Sequence, residues 1–277
     1  MVRRLTCVIV AVLLGLGLFS VPASAADAAD HSSPRYLALG DSLAFGYQPT
    51  QDFTQGYVNQ LYATLHTDQP RLQLTNLGCP GETTTTMRTG GVCPYPGHGS
   101  QLDTALAFLR AHPGRVRLIT IDIGGNDVNR CVSATGIDLA CVDQGLLAIA
   151  VNLSVIVPRL RAAAPYATIV GMTYYDPTLA AWLSGPAGQA LAQLSLELVH
   201  RLNRLLVARY QAGRFRIADV AAAFSTDNMT TMVNGVPLNV ARICQWTWMC
   251  APAPLGPDIH PNTAGYGVIA QTFAAIL

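Results

Sequence analysis

The sequence predicts an α/β domain of three layers, α/β/α, built on a five-stranded and mainly parallel sheet. One observation sets the class: apolar runs with β-branched residues recur along the chain, separated by amphipathic stretches of helical length, which is the pattern of right-handed βαβ crossovers. A second sets the scale. Of 277 residues 51% are hydrophobic and 12% charged, against about 25% charged in an ordinary soluble domain, so a large core is available and disorder is excluded.

In chain order, the predicted strands are Tyr36 to Leu39, Leu72 to Leu77, Val116 to Ile123, Ala167 to Thr173 and Phe215 to Val220. Helices are predicted near 56–67, 100–111, 142–163, 187–211 and 263–277, with Pro158 expected to kink or break the third. The stretch from Ala221 to Pro257 lacks periodicity and carries Gly, Pro, two cysteines, Trp246 and Trp248, so it reads as a long functional loop. No internal repeat or boundary interrupts 26–277, which reads as one domain.

Ahead of it, Met1-Val2-Arg3-Arg4 precedes an apolar run from Cys7 to Val21 and then Pro22-Ala23-Ser24-Ala25. A charged start, an apolar middle and an A-x-A end predict a secretory signal over 1–25. The run falls short of the roughly 20 residues that span a bilayer, and no cysteine stands at the cleavage point to take a lipid, so the expected product is released, extracellular, without a stable membrane anchor, and monomeric.

All 17 basic residues are arginines. Lysine-dependent chemistries are thereby excluded: P-loop phosphate binding, kinase ATP binding and Schiff bases. Formal charge is +1 and no stretch concentrates arginine with aromatics, so no nucleic-acid partner is expected.

Loss of the signal removes Cys7 and leaves Cys79, Cys93, Cys131, Cys141, Cys244 and Cys250. An even number in an exported chain points to disulfides. These six fall into three sequence-local couples, so nearest-neighbour pairing is expected: 79 with 93, 131 with 141, 244 with 250. No C-x-x-C, H-E-x-x-H or clustered Cys/His set suggests a metal, and no cofactor is expected.

In an open parallel sheet the ligand lies beyond the carboxyl ends of the strands. The residues there are Gly40-Asp41-Ser42-Leu43, Gly78 to Thr83, Gly124-Gly125-Asn126-Asp127, Tyr174-Tyr175-Asp176-Pro177 and, after the long loop, Asp258-Ile259-His260-Pro261-Asn262. Ser42 follows a strand and precedes a short helical stretch, a position that suits a nucleophile as well as a helix cap. His260 is a candidate base, Asn126 can donate its amide to an oxyanion, and Gly81 can offer a backbone N–H without Cβ interference.

Gly40-Asp41-Ser42-Leu43, Asn76 to Thr83, Gly125-Asn126-Asp127 and Asp258-Ile259-His260-Pro261 resemble, in order, the four signature blocks of the GDSL esterases, or SGNH hydrolases. The resemblance runs from about residue 36 to the C-terminus. It implies a flavodoxin-like SGNH fold and a serine hydrolase of carboxylic esters, with Ser42 as nucleophile and His260 as base. It assigns the oxyanion hole to the Ser42 and Gly81 N–H groups and the Asn126 side chain. The family spacing puts the acid three residues before the histidine, where this chain has Pro257; Asp258 stands two before. Some secreted members that this chain resembles use a main-chain carbonyl there, so Asp258 contributes its side chain, its backbone oxygen, or neither. No G-x-S-x-G elbow supports an α/β-hydrolase.

The expectation is thus a secreted esterase or lipase acting on hydrophobic acyl esters through an acyl-serine, with Leu43, Phe45, Trp246 and Trp248 as candidate apolar walls. The alternative enzyme is a carbohydrate acetylesterase whose two tryptophans stack on sugar rings. The non-enzyme alternative is an inactive binding module on the same fold.

Overall fold

Five parallel strands form the central sheet: β1 (Arg35–Gly40), β2 (Gln73–Asn76), β3 (Val116–Asp122), β4 (Thr168–Met172) and β5 (Arg216–Ala218), in spatial order β2-β1-β3-β4-β5. The computed structural model describes residues 33–133 and 136–277; the expected signal over 1–25 lies outside them. β1, β3 and β4 are buried along almost their whole length, as central strands covered on both faces must be, whereas Gln73–Asn76 at the edge is half-buried. Each strand pairs in parallel register with its neighbour, Leu37 opposite Thr75 on one side and Ile119 on the other.

The chain leaves β1 for β2 on one side and returns to place β3 on the other, so successive right-handed crossovers lie on opposite faces. Helices α2 (Tyr57–Asp68) and α10 (Thr263–Ala274) pack together on one face, where the Tyr57 and Phe273 rings stack with centroids 4.9 Å apart. The other face carries α4 (Gln101–Ala111), α6 (Leu139–Ala163) and α7 (Pro186–Ala212). Reversal of strand order between β1 and β3 makes their carboxyl ends the switch point, where a crevice opens.

Strand β1 is longer by one residue at each end than predicted, and the other four are shorter; the largest difference, at β5, comes from a polar cap. Val220 begins a short helix, α8 (Val220–Ala223), since the Asp219 side chain accepts from Ala222 N–H. Helix α6 starts earlier than predicted, capped by Asp138, and continues through Pro158 to Ala163 without a break. Pro158 is on the exposed side, so the carbonyl freed by its missing N–H faces solvent. The expected loop from 221 to 257 is also more ordered than its composition suggested. It contains a ribbon pairing Met232–Val233 with Val236–Pro237, and then α9 (Leu238–Trp246), whose Val240 and Ile243 are buried. Thr247–Trp248 then pairs antiparallel with Asp258–Pro261.

Candidate active site

The carboxyl end of β1 is shaped by two glycine-dependent and acid-dependent contacts. Gly40 has φ +144°, and a Cβ there would lie 2.4 Å from the Asp122 carbonyl oxygen, so only glycine lets β1 close on the end of β3. The next residue, Asp41, caps α1 (Ser42–Phe45): its Oδ1 accepts from Leu43 N–H at 2.9 Å and its Oδ2 from the Tyr174 hydroxyl at 2.9 Å. Asp122, fully buried, accepts from the N–H groups of Asp41 and Ala44, each at 3.2 Å, and from the Tyr57 hydroxyl. Burial pushes the Asp122 carboxyl well above the carboxylate range, and the nearby Asp41 charge pushes it further. Asp41 is raised as well, chiefly by burial. Two carboxyl groups out of water disfavour each other's ionisation, and both lie beneath the turn that carries Ser42.

Ser42, nearly buried, meets His260 from the far end of the chain: Oγ and Nε2 are 2.8 Å apart. Behind the ring, Nδ1 lies 2.7 Å from Asp258 Oδ1, which also accepts from the His260 main-chain N–H at 2.9 Å. Burial raises the Asp258 pKa, but the hydrogen bonds from His260 outweigh it and hold the carboxyl below its ordinary value. The partner of Nδ1 is therefore the Asp258 carboxylate, at a spacing of two residues. The cap of α10 is Asn262, whose side chain accepts from Gly265 N–H at 3.0 Å, so Asp258 does not serve that helix. Two further contacts fix the segment: the Tyr175 hydroxyl donates to the Ile259 carbonyl at 2.7 Å, and the Tyr47 ring packs on the His260 ring at 4.5 Å.

Asn126 opens α5 (Gly125–Asn129) just past β3, and its Nδ2 donates to the Glu82 carbonyl at 2.9 Å. One N–H of that amide is used there; the second remains for a ligand. Gly81 sits beside Glu82 in an exposed turn at φ +84°, a conformation that favours glycine, although a Cβ would meet nothing nearer than 3.7 Å. Asp127, next to Asn126, accepts from the N–H and hydroxyl of Thr84 and so ties α5 to α3 (Thr84–Thr89).

A cleft open to solvent is lined by Ser42, Asn126 and His260 together with an apolar set including Leu43, Val128, Val142, Val199 and Leu202. Of the four candidate walls only Leu43 lines it. Phe45 packs on Phe53, and Trp246 sits between Phe224 and the Arg242 guanidinium. Trp248 is held in the ribbon opposite Asp258, outside the cleft lining. The tryptophans are therefore not placed to stack on a sugar in this cleft. The walls that sequence reading missed come from α5, α6 and α7, where apolar residues at helical spacing look like ordinary core.

Disulfides join Cys79 to Cys93, Cys131 to Cys141 and Cys244 to Cys250. The first brackets the Gly81 turn. The second closes the loop that brings Val132 and Ile137 to the cleft, and the third pins the end of α9 ahead of Asp258. Among the described residues, no group of three or more His, Cys, Asp or Glu side chains converges to hold a metal ion.

Comparison with known proteins fits this arrangement. The chain is similar in structure to an extracellular lipase from Streptomyces rimosus, with 18% identity, TM-score 0.58 and coverage of 88% of this chain and 99% of that one. A lipase from a goat rumen metagenome gives 17% identity and TM-score 0.57, over 88% of this chain and 97% of that one. Phospholipase A1 from Streptomyces albidoflavus gives 17% identity and TM-score 0.54, over 88% and 99%. At such identity these neighbours speak for the fold. No curated protein matches the chain in sequence. The family model of the GDSL-like lipases and acylhydrolases matches residues 38–268, most of the chain and all four signature blocks, and the protein belongs to that family.

Proposed function

We propose that the protein is a secreted, metal-independent serine esterase or lipase that hydrolyses carboxylic esters of hydrophobic acyl groups. The observation that carries this reading is the hydrogen-bonded chain Ser42, His260, Asp258 at the mouth of an apolar cleft. His260 Nε2 takes the proton from Ser42 Oγ as that oxygen attacks the ester carbonyl, and Asp258 holds Nδ1–H and stabilises the imidazolium. The carbonyl oxygen, now negative, is received by the N–H groups of Ser42 and Gly81 and by the second N–H of Asn126. His260 then gives its proton to the leaving alcohol, the acyl group stays on Ser42, and water attacks by the same route in reverse.

Leu43, Val142, Val199 and Leu202 favour an apolar acyl chain over a sugar. The three disulfides, which use every cysteine among the described residues, support export, since disulfides persist in oxidising compartments, and the expected signal over 1–25 supplies the route.

The test is turnover of p-nitrophenyl esters from acetate to palmitate beside acetylated xylan, with a phosphonate probe to label the serine. Ser42→Ala and His260→Ala should each abolish turnover in a folded protein, and Ser42→Ala should abolish labelling. Asn126→Ala should lose about 10²–10³ in kcat. Release confined to acetyl groups on the polysaccharide would sink the substrate class, and absence of labelling would leave an inactive binding module.

A further inference from the structure

Gln101, the first residue of α4, carries no chemistry in the reading above, yet its side chain is completely buried at the carboxyl end of β1. Its Oε1 accepts from the Gly40 N–H at 2.7 Å, and its Nε2 donates to the Gly40 carbonyl at 2.9 Å. One side-chain amide thus grips both polar groups of the residue two places before Ser42. The same Nε2 lies 3.1 Å from Glu82 Oε2 and 2.9 Å from the Tyr95 hydroxyl, which itself donates to the Leu77 carbonyl at 2.9 Å. Glu82 is also completely buried; it follows Gly81, and its carbonyl holds Asn126. The Gly40 carbonyl receives a second donor, Cys79 N–H at 3.1 Å, from the start of that loop.

Resting on the active-site assignment above, we propose that Gln101 is a positioning residue that sets the oxyanion hole against the nucleophile. Its amide is the common partner of the strand end that presents Ser42 and of the loop that presents Gly81 and aims Asn126. The physical need is plain. Ser42 and Asn126 follow neighbouring strand ends, but Gly81 lies past edge strand β2 and beyond its last main-chain bonds to β1, Leu77 N–H to Ala38 and Cys79 N–H to Gly40. A buried amide with donors and an acceptor in a rigid plane fixes it, and a displacement of about 1 Å at such a site costs on the order of 10²-fold in rate. Glu82, the loop's acceptor in this link, is itself out of water.

The experiment is a cycle of Gln101→Met, Asn126→Ala and the double variant, with kcat and KM measured per active site titrated by a phosphonate. Gln101→Met keeps the length and removes every hydrogen bond; should it not fold, Gln101→Glu keeps the acceptor for Gly40 N–H and removes both donors. The expected result is a kcat about 10²-fold lower with KM within about threefold, and a double variant losing no more than about threefold beyond Asn126→Ala alone, because both act through one hole. A merely structural role moves melting temperature and the titratable fraction but not kcat per site. Losses that multiply, or a kcat per site within about threefold of the parent, overturn the inference. Full activity in Asn126→Ala alone overturns the hole assignment itself, and this inference with it.

Discussion

A single oxygen of Asp258 serves His260 twice: Oδ1 accepts from the main-chain N–H at 2.9 Å and from Nδ1 at 2.7 Å. Where an asparagine replaces the acid of a serine triad and presents its NH2 to the imidazole, the wrong tautomer costs about 10⁴ in kcat. Here the His260 N–H requires an acceptor at that position, so an asparagine keeps its carbonyl oxygen there and preserves the tautomer. We predict that Asp258→Asn lowers kcat by about 10²-fold or less, the share due to lost charge, whereas Asp258→Ala loses about 10³–10⁴. Steady-state kinetics on the pair decide; equal losses would show that the shared oxygen does not matter.

Asp176 lies in the cleft wall with its Oδ2 2.6 Å from the Ser195 hydroxyl, which is also 2.9 Å from the Ala192 carbonyl. A hydroxyl has one proton for two acceptors, so the protonated acid suits the site. Burial pushes Asp176 up to about 6, against partial compensation by Ser195 and Thr178. A carboxyl raised in the folded state contributes stability that is full below about pH 4 and lost as pH rises through about 6. The same sign applies to Asp41, Glu82, Asp122 and Asp127, all raised mainly by burial. Asp176→Asn imitates the protonated acid. It should leave the melting temperature at pH 4 unchanged and raise stability at pH 8, by an amount on the order of 3 kcal/mol before relaxation. Denaturant midpoints at the two pH values check it; equal effects at both would refute the titration.

The cleft walls should govern acyl length. Val142→Trp and Leu202→Trp each fill space in the cleft that Ser42 lines. Hydrolysis of p-nitrophenyl acetate should persist within a fewfold, while kcat/KM for long acyl chains falls by about 10-fold or more, the scale of one displaced apolar group of 1–3 kcal/mol. A uniform loss across chain lengths would place the acyl group elsewhere.

Removing disulfides one at a time should separate binding from chemistry. Cys131→Ser with Cys141→Ser frees the loop bearing Val132 and Ile137 and should raise KM for long chains with little change in kcat for acetate. Cys79→Ser with Cys93→Ser frees the Gly81 loop and should lower kcat for every ester. Each bridge is worth about 3 kcal/mol or less in the chain-entropy model, so both variants should fold. Interchanged phenotypes would reverse the assignment of the two loops.

By itself the sequence determined the class of fold and picked out the candidate residues that the structure gathers at the cleft, because both are written locally. Alternating strand and helix periods dictate a parallel sheet, and Gly40-Asp41-Ser42, Gly125-Asn126-Asp127 and Asp258-Ile259-His260 are short enough to read where they stand. The couples of cysteines were legible for the same reason. What the sequence left open was settled by contacts between distant segments. The choice between the Asp258 carboxylate and a main-chain oxygen depended on how a ribbon with Thr247–Trp248 turns residues 258–261. The cleft walls depended on which faces of α5, α6 and α7 meet at the sheet edge, and Val142 and Leu202 carry the same periodic signal as any core residue. Gln101 gave no signal at all, and Glu82 none beyond its place in the Asn76 to Thr83 block. A glutamine at a helix start looks like solvent-facing polarity, and only the approach of α4 to the end of β1 buries it against Gly40, where a main-chain N–H and the second lone pair of a carbonyl make an amide the side chain that fits.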